Sequence, residues 1–224
     1  TVRLWDVATH REIAALTGHT DRLSAVAFSP DGHLVATAGA DRTVRLWSVT
    51  DRRALATLTG HTGAISALAF SPDGQLLATA GADRTARLWD VTGHRQVAVL
   101  AGHTDAVSAV AFGRDGRTLV TGGEDATARL WDVPARRSVA VLGGHTGWIW
   151  SAALGGTDRT LATAADDGTV RLWDLPARQE VAVLPGHSTT HPHVALSPDG
   201  RTVAAVGTGA GVLLWDLDVA SWRT

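Results

Sequence analysis

Four sets of side chains in this sequence bring together groups that hydrolytic enzymes use. His19, Thr37, Asp41 and Trp47 recur as His61, Thr79, Asp83 and Trp89, then as His103, Thr121, Asp125 and Trp131, and again as His145, Thr163, Asp167 and Trp173. A hydroxyl, an imidazole and a carboxylate are the parts of a triad in which a base activates an oxygen nucleophile and an acid orients the base. Four equivalent active sites in one chain of 224 residues are implausible, so no catalytic residue is assigned. A second chemistry is suggested by His191 and His193, which are two apart on an expected strand and would share a face able to touch a metal. No third ligand has metal-site spacing and the chain has no Cys, so neither a metal nor a cofactor is assigned. With Asp199, these two histidines are the candidates for an alternative reading, a hydrolase or metal-dependent enzyme centred on a channel. The run Gly207-Thr208-Gly209-Ala210-Gly211 lacks the last spacing of a dinucleotide fingerprint and leads into a Trp-Asp strand rather than a helix, so it reads as a loosened hairpin.

The elements that must position these groups follow from a strict period. Tryptophans fall at Trp5, Trp47, Trp89, Trp131, Trp173 and Trp215, and Gly-His pairs begin at Gly18, Gly60, Gly102, Gly144 and Gly186, always 42 residues apart. Residues 18–59 and 60–101 align without a gap with 28 identities in 42, so the units must be structurally interchangeable. The pattern of a unit is an apolar alternation such as Ser24–Phe28, a turn such as Ser-Pro-Asp-Gly (Ser29–Gly32), a second run Leu34–Ala38, a turn holding Asp41, then Thr43–Trp47 and Ala54–Leu58. Pro presets φ at the second turn position and Gly tolerates the sharp exit, which predicts a hairpin there. Four strands of about five or six residues leave no room for a helix in the period. Composition agrees: all 20 basic residues are Arg, Lys and Asn never occur, and 19 of the 22 acids are Asp, so helix-surface residues are scarce and turn residues plentiful. The expected class is all-β, with two leading strands, four sets of four and at least three trailing strands.

Gly-His, then Ser-Pro-Asp-Gly, then Thr-Val-Arg-Leu-Trp resembles the WD-repeat family of β-propellers over essentially the whole chain. The resemblance implies four-stranded antiparallel blades set radially about a channel, with the sequence repeat offset from the blade. Residues 1–17 would end a preceding repeat, and repeats would occupy 18–59, 60–101, 102–143, 144–185 and 186–224 of a single propeller segment, about five blades of a ring that in this family most often has seven. It also implies that the His, Thr, Asp and Trp groups form a buried hydrogen-bond chain holding each blade in register. The fifth copy departs from the pattern, because Ala205 and Gly209 stand at the threonine and aspartate positions beside His187 and Trp215, and its network is expected to be broken. The chain opens at Thr1 inside the pattern and reads as part of a longer array, similar to those that follow signalling modules in large bacterial regulators.

If the units are interchangeable, partner choice must reside where they differ. The differing positions are the start of the first strand (Asp21/Arg22, Gly63/Ala64, Asp105/Ala106, Gly147/Trp148, Thr189/Thr190) and the residue before the turn aspartate (Ala40, Ala82, Glu124, Asp166, Thr208). Trp148 and Trp150, with the acidic Glu124 and Asp166, form an expected aromatic and acidic patch to which an Arg-bearing peptide or loop is suited. Asp21, Arg22 and Asp105 complete the candidate partner-binding set. The two tryptophans have a second reading, as rings that fill space between blades.

Net charge is −2, with both signs mixed along the chain, which gives no electrostatic footprint for nucleic acid or an acidic membrane. The uncharged run Ser138–Thr157 has the length of a bilayer span but contains five glycines and a histidine, and is not a membrane helix. The expectation is a non-enzymatic protein-interaction scaffold or sensor module of a larger bacterial regulatory protein, cytoplasmic, with adjacent domains and a protein or peptide partner. The absence of Cys fits a reducing compartment.

Overall fold

The computed structural model describes residues 1–156, 158–185, 191–207 and 211–217. These residues form strands β1 (Val2–Asp6), β2 (Arg11–Leu16), β3 (Leu23–Phe28), β4 (Leu34–Gly39), β5 (Val44–Ser48), β6 (Arg53–Leu58), β7 (Ile65–Phe70), β8 (Leu76–Gly81), β9 (Thr85–Asp90), β10 (Arg95–Ala101), β11 (Val107–Phe112), β12 (Thr118–Gly123), β13 (Thr127–Asp132), β14 (Arg137–Gly143), β15 (Ile149–Leu154), β16 (Thr160–Ala165), β17 (Thr169–Asp174), β18 (Gln179–Pro185), β19 (His193–Leu196), β20 (Thr202–Val206) and β21 (Val212–Asp216). Four complete antiparallel sheets, β3 to β6, β7 to β10, β11 to β14 and β15 to β18, stand between a two-stranded sheet, β1-β2, and a three-stranded one, β19-β20-β21. The protein is all-β, as its spacing predicts. Among the described residues no helix is long and apolar enough to cross a membrane, and the uncharged run is divided between β14 and β15.

The hairpin chemistry explains how the first complete sheet begins. At Ser29-Pro30-Asp31-Gly32 the Gly32 amide donates to the Ser29 carbonyl (2.9 Å), and the Leu34 amide donates to Ser29 Oγ (2.9 Å). Gly32 adopts φ 73°, a region that L side chains enter only with strain. The turn therefore delivers β4 back against β3 with Leu23 opposite Gly39 and Phe28 opposite Val35.

Sheets pack face to face through apolar layers. Ala36, Ala38, Leu46 and Leu58 of one sheet meet Ile65, Leu77 and Trp89 of the next, and the same contact is repeated further along by Val120, Ala128, Leu130 and Leu142 against Ile149, Leu161 and Trp173. The first strands β3, β7, β11, β15 and β19 are each beside the next, so they form the inner wall of the arc.

Candidate functional site

The His, Thr, Asp and Trp groups lie separately inside the four complete sheets. In the third complete sheet Trp131 Nε1 donates to Thr121 Oγ1 (2.9 Å), Thr121 is 2.8 Å from His103 Nε2, and His103 Nδ1 is 2.9 Å from Asp125 Oδ2. An indole N–H can only donate, so the threonine oxygen accepts from it and gives its single proton to Nε2; the imidazole proton must then sit on Nδ1, donated to the carboxylate. The same chain links Trp47, Thr37, His19 and Asp41, with the histidine 2.8 Å from the hydroxyl and 2.7 Å from the carboxylate. It recurs through Trp89, Thr79, His61 and Asp83 (2.9, 2.8 and 2.9 Å) and through Trp173, Thr163, His145 and Asp167 (2.9, 2.8 and 2.8 Å).

Electrostatics match this proton arrangement. Burial pushes the imidazoles of His61, His103 and His145 below their ordinary value, against the opposing pull of Asp83, Asp125 and Asp167. Burial alone would raise Asp41, but the His19 ring, the Thr43 and Thr20 amides and the Thr43 hydroxyl hold it at about 2. Asp83 and Asp167 are likewise held at about 2, and Asp125 is lowered, by the same kinds of donor outweighing burial. A neutral imidazole sealed between a hydroxyl and a carboxylate has no spare nitrogen to take a proton from a substrate.

The fifth unit differs. Ala205 is fully buried at the threonine position, and Trp215 is only partly covered. His187, Thr189, Thr190, Thr208 and Gly209 lie outside the described residues. One expectation is corrected here. His191 and His193 do not share a strand face, because His191 precedes β19 with φ 47° and only His193 belongs to the strand. The His191 ring instead lies 4.2 Å from that of Trp150. Among the described residues no three His, Cys, Asp or Glu side chains gather as a metal site.

The two sets of variable positions meet. The amide of Ala40 donates to the Arg22 carbonyl (2.8 Å), Ala82 to Ala64 (2.8 Å), Glu124 to Ala106 (2.8 Å) and Asp166 to Trp148 (3.0 Å). Each pair therefore forms one rung at the same end of its sheet, and the first strands carry the rungs to the axis. There a cavity of about 610 Å³ is lined by Arg22, Ala64, Ala106, Glu124, Trp150 and His191, among others. Trp148 is 46% exposed, with its ring 6.0 Å from that of Trp150, which is half-buried. Burial raises the Glu124 carboxyl, and the negative charges of Asp105 and Asp166 push it the same way. Asp21 and Asp105 are exposed and bond the amides of Arg22 (2.7 Å) and Ala106 (2.8 Å).

One set of residues escapes a reading of the sequence. The first strands β3, β7, β11 and β15 each have a bulge, which skips Ser24, Ser66, Ser108 and Trp150 in turn in the ladder with the second strand. A bulged residue is turned away from regular pairing. Ser66 Oγ donates to the Val107 carbonyl of the next sheet (2.6 Å), and Ser24 and Ser108 donate in the same way to the carbonyls of Ile65 and Ile149. Trp150 replaces the fourth serine, and its Nε1 is buried with no partner among the described residues. The signal was available as a serine recurring at the repeat period and interrupted once.

These sheets, turns and relays identify the class of protein. The family model described as "WD domain, G-beta repeat" matches at residues 10–48, 52–90, 94–132, 136–174 and 178–216, and the chain belongs to this WD-repeat family. Comparison with curated proteins gives no match.

Proposed function

We propose that this chain is a non-enzymatic docking module that binds a protein or peptide at the axial end of its arc, through Trp148, Trp150, Glu124 and Asp166 with Asp105, Asp21 and Arg22 around them. WD repeats generally mediate protein–protein contacts, and domains built from them are typically non-enzymatic. The observation that carries the reading is the separation of two kinds of residue. The repeated polar groups are used up inside individual sheets, whereas the positions that differ between repeats are joined in rungs, of which those of the first three complete sheets line one cavity together with Trp150. Glu124 and Asp166 make no ion pair among the described residues, and an exposed indole stands beside them. An arginine on the partner suits this patch, since its guanidinium pairs with carboxylates and stacks on Trp. We place the module in a larger cytoplasmic regulatory protein of a bacterium, a reading supported by the resemblance of the array and by the lack of cysteine.

The test is a Trp148→Ala, Glu124→Ala double variant. Partner capture from a lysate of the source cells should be lost while the melting temperature stays within about 2 °C of the parent, as surface changes away from structural features cost little. Lost folding would mean that the indole is a packing element, and capture that survives would place the docking surface elsewhere.

A further inference from the structure

One position on the outer strands distinguishes the sheets from one another. In five sheets the outermost strand sets one residue opposite the repeated tryptophan: Glu12 opposite Trp5, Ala54 opposite Trp47, Gln96 opposite Trp89, Ser138 opposite Trp131 and Glu180 opposite Trp173. Two residues before each tryptophan stands an arginine: Arg3, Arg45, Arg87, Arg129 and Arg171. Where the facing side chain is long and can accept, the arginine bonds to it. Arg3 Nη1 donates to Glu12 Oε2 (2.6 Å), Arg87 Nη1 to Gln96 Oε1 (2.5 Å) and Arg171 Nη1 to Glu180 Oε2. The last pair is sheltered from solvent screening, since only 18% of the Arg171 side chain is exposed.

Arg45 and Arg129 lack this acceptor. Ala54 has no polar side-chain atom, and Ser138 Oγ bonds instead to the Ala140 carbonyl at a long 3.5 Å. The buried Nε of Arg129 has no partner among the described residues. Its guanidinium nevertheless lies against the Gly102 backbone, where a Cβ would come within 2.7 Å of Nη1, as that of Arg171 lies against Gly144 (2.8 Å). The cation of the third complete sheet is therefore seated where its counterpart in the fourth is paired, and only the anion is missing.

Two features separate Ser138 from Ala54. It carries a hydroxyl, and it is the only serine or threonine in the chain that follows two consecutive arginines, Arg136 and Arg137. Pro134 to Arg137 are exposed, Ser138 is half-buried, and β14 is the outermost strand of its sheet. The hydroxyl is thus reached from outside by opening the first residues of an edge strand, the kind of local opening that costs far less than unfolding. A phosphoserine has as many bonds between Cβ and its outer oxygens as a glutamate, so a phosphate on Ser138 reaches as far as the Glu180 carboxylate does.

We infer that Ser138 is a phosphorylation site for a serine kinase that selects basic residues before the acceptor, and that Arg129 receives the phosphate. The γ-phosphoryl group of ATP passes to Ser138 Oγ: an O–P bond forms at the serine, the bond from the γ-phosphorus to the β–γ bridging oxygen breaks, ADP leaves, and the hydroxyl proton goes to the base of the kinase. Charge-assisted bonds to the guanidinium then replace the long contact with Ala140 and tie β14 to β13 beside the Gly-His loop that leads into β11. The relay feels charge at this position. Burial lowers His103 and His145 against the pull of their aspartates; Arg129 and Arg171 add to the lowering, and at His145 the Glu180 charge opposes it.

The test is incubation of the folded chain with magnesium ATP and the catalytic subunit of cyclic-AMP-dependent protein kinase, which reads basic residues before a serine. The expected result is a mass gain of one phosphoryl group, located at Ser138 by fragment masses and absent from Ser138→Ala. The melting midpoint of the modified chain should lie about 2–4 °C above that of the unmodified one. In Arg129→Gln the same phosphate should leave the midpoint unraised, which separates pairing with the guanidinium from a general effect of charge. Ser138→Glu needs no kinase and should raise the midpoint in the same way, again only while Arg129 is present. A folded chain left unmodified at Ser138 overturns the inference, as does a phosphate or a glutamate whose effect on the midpoint is the same with and without Arg129.

Discussion

The Trp150 ring lies 4.2 Å from the ring of His191, at the junction where the serine-to-carbonyl bond of the three preceding junctions is replaced. Where the bond exists, it ties a bulged side chain of one sheet to the backbone of the next. Ser66→Ala should therefore lower the unfolding free energy by about 1–2 kcal/mol, the cost of leaving the Val107 carbonyl without its donor. Urea titration checks this, and an unchanged midpoint would show that the bond adds nothing to the junction.

A second expectation concerns the internal relay. Thr121→Val keeps the shape but leaves the Trp131 N–H and His103 Nε2 unpaired in a buried site, for a loss of roughly 2–4 kcal/mol. Thr121→Ser retains the hydroxyl and should cost only about 1 kcal/mol, for the missing methyl group. Equal losses in the two variants would mean that packing, and not the relay, sets the stability.

Acid should dismantle the protein in two stages. The folded imidazoles of His61, His103 and His145 lie below the ordinary 6.5, so the unfolded chain binds their protons first; the stability they contribute is complete above 6.5 and is lost as pH falls toward their folded values. Asp41, Asp83 and Asp167, held at about 2 against 3.8, contribute stability that is complete above 3.8 and lost between 3.8 and 2. Denaturant midpoints measured from pH 8 to pH 3 should decline gently below 6.5 and steeply below 4. A flat profile between pH 7.5 and 5 would contradict the neutral assignment of the histidines.

The residue after each turn aspartate is left-handed: Arg42 (φ 64°), Arg84 (φ 66°), Ala126 (φ 61°) and Gly168 (φ 78°). Only the fourth is a glycine, for which this conformation carries no steric cost. Ala126→Gly should stabilise the chain by about 0.5–1 kcal/mol, the strain relieved less the entropy that glycine adds to the unfolded state. Thermal melts would show it as a raised midpoint.

Much of the architecture was legible because it repeats. The expected strands Leu34–Ala38 and Ala54–Leu58 are observed as Leu34–Gly39 and Arg53–Leu58, since turn residues and alternation bound them closely. The period makes Glu124 equivalent to Ala40 and Ala106 to Arg22, but that these positions pair is seen only in the sheet, where the Glu124 amide donates to the Ala106 carbonyl. Local exceptions were harder to read. His191 reads in the sequence as part of an alternating strand, but its backbone is left-handed (φ 47°) and β19 begins only at His193. Ser66 reads as an ordinary polar position, because a bulge that re-aims one side chain leaves no mark on hydrophobic periodicity.

Each 42-residue period begins between two sheets, just after the outermost strand of one and just before the innermost strand of the next. Excising residues 60–101 would join β6 directly to the loop ahead of β11, leaving every relay whole and giving Ser24 the Val107 carbonyl in place of that of Ile65. Duplication would be equally harmless. Copy number is therefore what a recombining gene can change most cheaply here, so arrays of different length in sister lineages would be expected to share nearly superimposable units while differing in diameter.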